Sequence, residues 1–131
     1  MKSIDIDQLL KEISPEAPCG EKDLEYDPEF IAFEEDIKGT PEVEIGGKIV
    51  QEEKSPNWND IQERAVEMLT RTHDFRLAVN LTRALLHNKG FAGFCDGLRL
   101  ITGFIEHYWD TLNPPLDPDD NFDPEYRINI L

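Results

Sequence analysis

Phe91-Ala92-Gly93-Phe94-Cys95-Asp96-Gly97-Leu98-Arg99-Leu100-Ile101-Thr102-Gly103-Phe104-Ile105-Glu106-His107-Tyr108-Trp109-Asp110-Thr111-Leu112 runs straight into Asn113-Pro114-Pro115. Within it, Phe91, Phe94, Leu98, Ile101, Ile105, Tyr108 and Leu112 recur at alternating intervals of three and four. That period predicts a long amphipathic helix with these residues on one buried stripe, and Cys95 as a buried thiol. Proline lacks an N–H and forces its predecessor out of the helical region, so the helix stops at Asn113. Leu116-Asp117-Pro118-Asp119-Asp120-Asn121-Phe122-Asp123-Pro124-Glu125-Tyr126-Arg127 follows. Carboxylates beside fixed φ angles read as a built turn rather than a flexible tail.

Working back from this helix, an apolar segment at Phe75, Leu77, Ala78, Val79, Leu81, Ala84, Leu85 and Leu86 covers most of a helix circumference and predicts a central element. Asn88-Lys89-Gly90 marks its end, with glycine just past the last helical residue. Trp58, Ile61, Ala65, Met68 and Leu69 predict another helix, capped by Ser55 or Asn57. Asp27-Pro28-Glu29 opens an earlier one, with Asp27 as cap, Pro28 at the first helical position, and a Tyr26–Ile31 staple. Its buried face is Phe30, Phe33 and Ile37. A short first helix lies within residues 4–13. Gly46-Gly47 between Val43-Glu44-Ile45 and Lys48-Ile49-Val50 predicts a two-residue hairpin over 43–50. The fold class expected is all-α, a single antiparallel bundle-like domain of five to six helices with this hairpin inserted.

The 131 residues suffice for one domain burying roughly 65–70% of its unfolded surface. Lys plus Arg number 13 against 28 Asp plus Glu, a net charge of −15, which opposes binding to nucleic acid or anionic lipid. A basic protein surface suits that charge. Glu34, Glu35, Asp36, Glu42, Glu44, Glu52 and Glu53 lie off the apolar stripes and close in sequence, so they are the candidate partner-binding residues. Cys19 and Cys95 match no metal or redox spacing and fit a reducing, cytoplasmic compartment. No apolar run approaches the ~20 residues of a membrane span.

Enzyme and metal chemistry find little purchase. Asp117, Asp119, Asn121 and Asp123 match the first ligand positions of a calcium loop. Phe122 stands where glycine is needed, however, and Ile128 where a bidentate glutamate belongs, so an Asp/Pro turn is the better reading. His73, His87 and His107 show no metal spacing and read as surface or helix-end histidines. No nucleophile elbow, phosphate loop or Cys–His pairing is visible. The closing segment reads as an internal clamp. Tyr108 and Leu112 bury against the preceding helices, Asp123 caps a final helix beginning at Pro124, and Arg127 reaches a carboxylate among Asp110, Asp117 and Asp119.

Two stretches together resemble one family. Leu9-Leu10 and Ile13-Ser14-Pro15-Glu16-Ala17-Pro18-Cys19-Gly20, followed by Leu24-Glu25-Tyr26-Asp27-Pro28-Glu29-Phe30, are similar to the opening of the ImpA-related N-terminal domain. Tyr108-Trp109-Asp110-Thr111-Leu112-Asn113-Pro114, with Leu116-Asp117-Pro118-Asp119-Asp120 and Arg127, is similar to its closing signature. Asn113-Pro114-Pro115 departs slightly from the usual form. The resemblance covers residues 1–131 and implies a domain of a longer protein from the TssA family of bacterial type VI secretion. It implies a non-enzymatic module without cofactor or metal, whose parent forms a homo-oligomeric ring and contacts baseplate, sheath, tube or membrane-complex components. An accessory protein anchoring the distal tail end is the neighbouring alternative, and a calcium-binding domain the remoter one. Asp27, Pro28, Tyr108, Trp109, Asp110, Pro114, Asp117, Pro118, Asp119, Asp123 and Arg127 are then structural.

Overall fold

In the computed structural model, which describes residues 4–22 and 24–131, helices dominate and one two-stranded antiparallel sheet is inserted among them. The order is α1 (Ile6–Leu9), α2 (Pro28–Asp36), β1 (Val43–Ile45), β2 (Lys48–Gln51), α3 (Trp58–Leu69), α4 (Phe75–Tyr108) and α5 (Glu125–Ile130). Single 3-10 turns lie at Leu24–Tyr26 and Pro118–Asp120. Local chemistry sets most of the starts. Asp27 accepts from the Glu29 and Phe30 N–H groups, Asn57 from Asp60, and Asp74 from Arg76, each satisfying amides that a first helical turn leaves unpaired.

The two helices expected on either side of Gly90 are the arms of α4. Gly90 has φ 65° and ψ −145°, a conformation open to glycine, and there the helix breaks. Beyond it the second arm folds back along the first. A Cβ on Gly97 would strike the Thr82 side chain, and one on Gly93 would strike the Leu85 carbonyl. These glycines therefore let two helix backbones lie closer than alanine would permit.

That close approach corrects the expected stripe. Leu100, Ile101 and Phe104 are buried together with Gly93, Gly97 and Gly103, whereas Phe91, Leu98 and Ile105 are 76%, 42% and 41% exposed. The apolar period located a helix but pointed its buried side at the large residues, when the contact is made through the small ones. For the same reason Cys95 is exposed, and Cys19 is the buried thiol.

The core lies between α3 and the two arms of α4, closed by α2 and α1. Phe30, Phe33, Phe75 and Phe104 are its largest apolar members, with Ile61, Met68, Leu77 and Leu81 packed among them. Each such side chain contributes about 1.5–3 kcal/mol on full burial. Tyr26 and Ile31, expected to staple the start of α2, are both exposed. Asp27 and Pro28 hold that end without them. α1 is shorter than the apolar pattern suggested and leans on the second arm, with the Leu10 side chain filling the space over Gly103.

Candidate protein-interaction surface

The closing segment is built outward from the end of α4. Leu112 and Asn113 are buried, and the Asn113–Pro114 peptide is cis. Three Asp-Pro pairs shape the chain by one device. Asp27, Asp117 and Asp123 each accept from the N–H two residues on, at 2.8 Å, while the intervening proline fixes φ. Asp117 and Asp123 thus each hold a backbone amide, but the N-cap position of α5 is Pro124 and no side chain caps it, so Asp123 braces the Glu125 N–H from one residue outside the expected cap.

Arg127 corrects the expected ion pair. It is buried, and its acceptors are three carbonyls: Pro114 at 3.0 Å, Trp109 at 2.6 Å and Leu112 at 2.6 Å. Asp110, Asp117 and Asp119 make no ion pair with it among the described residues. Only Trp109, the C-cap of α4, lies at the helix end, and Leu112 and Pro114 lie in the turn beyond it. The buried turn leaves these carbonyls facing one place, where a guanidinium with several N–H donors can serve all three. Burial pulls the Arg127 pKa below its ordinary value.

Tyr108 also departs from expectation. It is half-buried against α1 rather than α3, donating its hydroxyl to the Leu10 carbonyl at 2.6 Å. Its ring meets His73, which is buried rather than at the surface. His73 Nε2 sits 2.7 Å from the Lys11 carbonyl and its ring 4.8 Å from that of Phe104. Burial lowers the His73 pKa.

A polar knot joins three distant segments, and the spacing of its members gave no sign of it. Asn113 Nδ2 donates to the Glu21 carbonyl at 2.8 Å and to Thr72 Oγ1 at 3.1 Å. The Phe75 N–H donates to the Asn113 carbonyl, and the His73 N–H to that of Cys19. Nearby, Arg71 pairs with Glu21, with Asp27 at 2.9 Å and with Glu29 at 3.1 Å. Arg71 holds the Asp27 carboxyl below its usual range. These contacts are structural.

The candidate partner-binding acids divide into two sets. Glu34 is half-buried on α2, Glu35 pairs with Lys38 at 3.1 Å, and Asp36 pairs with Arg64 at 2.7 Å. Glu42, Glu44, Glu52 and Glu53 lie on and beside the hairpin, all exposed, and none enters an ion pair among the described residues. The hairpin itself follows from Gly46 and Gly47, with φ 61° and 79°, which suit the tight turn that matches strand twist. Its base is closed by Thr40 and Lys54, bonded in both directions. Its apolar side chains Val43, Ile45, Ile49 and Val50 are 37–66% exposed.

Among the described residues no helix is long and apolar enough to cross a membrane, and no group of three or more His, Cys, Asp or Glu side chains is placed to hold a metal ion.

Comparison with known proteins agrees with this architecture. A family model described as ImpA, N-terminal, type VI secretion system, matches residues 10–131. The chain is 38% identical over 128 residues to type VI secretion system component TssA1 of Pseudomonas aeruginosa, covering 98% of this chain and 37% of that protein. A solved N-terminal domain of the TssA component from Burkholderia cenocepacia, which includes the conserved ImpA region, superposes with a TM-score of 0.78 at 32% identity. That match covers 99% of this chain and 46% of the other. The chain thus spans well under two thirds of the proteins it matches.

Proposed function

The chain belongs to the ImpA N-terminal family of the type VI secretion system, and on that premise we propose that it is a non-enzymatic protein-interaction module. In this reading it lies in the cytoplasm and helps coordinate baseplate docking with assembly of the tail tube and sheath. One observation carries it. Glu42, Glu44, Glu52 and Glu53 stand exposed and without ion pairs around a hairpin whose apolar side chains the helices do not cover. Such an unneutralised acidic cluster accelerates encounter with a basic partner and fixes its orientation.

The test is charge reversal. Glu42→Lys, Glu44→Lys and Glu52→Lys together should weaken binding to purified baseplate or sheath components and remove its salt dependence, leaving the melting temperature nearly unchanged. Screening shortens the reach of such charges to about 8 Å at physiological ionic strength, so the wild-type on-rate should fall with added salt. Unaltered, salt-insensitive association by the triple variant would place the interface elsewhere.

A further inference from the structure

We propose that the β1–β2 hairpin inserts as a two-faced wedge into an apolar cleft of a partner protein rimmed by lysine or arginine. This deepens the interaction reading above and rests on it. The register decides the shape of the contact. Glu44 pairs with Ile49 and Ile45 with Lys48, so Ile49 and Ile45 project from opposite faces of the ribbon. Ile45 is 66% exposed, Ile49 57% and Val50 60%. A flat partner surface would cover one of these faces and leave the other in water. A cleft covers both.

The occupant's charge follows from the rim. Glu42, Glu52 and Glu53 flank the base of the wedge and Glu44 stands beside Ile49 on one face, against Lys48 beside Ile45 on the other and Lys54 at the base, so acids outnumber lysines and the partner's rim is cationic. A second copy of this chain is a poor fit, since each copy carries −15. The ladder also shifts register between Val43 and Glu44, leaving Val50 without a partner opposite, and a bulge of this kind hinders pairing with another strand edge. A two-stranded ribbon by itself is marginally stable in water, and a cleft that grips both faces completes its burial.

The test uses the full-length protein. A photocrosslinking amino acid is placed at position 45 or 49 in cells assembling the secretion machine. In parallel, an Ile45→Thr, Ile49→Thr, Val50→Thr variant is measured against purified baseplate and sheath components. Threonine keeps the β-branched shape that the strands favour while removing apolar surface. We expect both positions to crosslink to one partner, within a single cleft flanked by Lys or Arg, and the threonine variant to bind about tenfold more weakly or worse. Crosslinking from one position alone, to a second copy of the chain, to an acidic site, or to nothing would overturn the wedge. If charge reversal weakens binding while the threonine variant binds normally, the wedge falls and the acidic-surface reading stands. If neither variant weakens binding, both fall.

Discussion

The Arg127 guanidinium lies 4.6 Å over the Trp109 ring and donates to the Trp109 carbonyl at 2.6 Å. One side chain therefore covers the indole and completes the end of α4, with Leu112 and Pro114 as further acceptors. Arg127→Ala leaves buried carbonyls without donors and should destabilise by roughly 3–5 kcal/mol in chemical denaturation. Arg127→Lys keeps the charge but not the planar fork, and should recover less than half of that loss. Full recovery by lysine would mean that charge alone holds the segment.

Two glycines of α4 should resist alanine for different reasons. At Gly97 an added methyl meets the Thr82 side chain, so Gly97→Ala forces the arms apart at about 1–3 kcal/mol. At Gly90 nothing lies within 4 Å, but φ 65° with ψ −145° is a backbone open essentially to glycine, so Gly90→Ala should cost about 1–3 kcal/mol through strain alone. A Gly97→Ala variant as stable as the parent would show that the arms are not closely packed.

His73 should make stability fall in mild acid. Its folded pKa lies below the ordinary 6.5 because burial disfavours the imidazolium. The unfolded chain therefore takes up the proton first. Stability is fully present above the unfolded pKa and is lost as pH falls from there through the folded value. His73→Phe should flatten the difference in denaturation midpoint between about pH 7 and pH 5 relative to wild type. An unchanged slope in the variant would assign the effect to other groups.

The hairpin should exchange its amides faster than α4. Residues 43–51 are exposed throughout, whereas the first arm of α4 buries Phe75, Leu77, Ala78, Leu81, Thr82, Ala84 and Leu85 in the core. Hydrogen exchange that finds equal protection in the two would show that the ribbon is held by contacts to the helices.

What the sequence revealed was what short-range chemistry decides. Asp27-Pro28, Asn57 and Gly46-Gly47 act within a few residues of themselves, and each takes the role its type implies. Gly93 and Gly97, four residues apart, signal the close approach of another helix backbone, and the first arm of α4 makes it, but the spacing of the large apolar residues does not show that Phe91, Leu98 and Ile105 turn outward as a result. For Arg127 the sequence displays carboxylates nearby but not the carbonyls that a buried turn leaves without amide donors, and those are its acceptors. His73 and Asn113 belong to a knot spanning residues 19–21, 72–75 and 113, and no local pattern joins segments so far apart.

Arg127 also governs how the domain carries load. Tension applied at α5 passes through its bonds into the end of α4, and from there through the Tyr108 hydroxyl to the Leu10 carbonyl beside α1. First and last helices are thus coupled through one stiff strut. The hairpin lies off that path, joined at its base by Thr40 and Lys54.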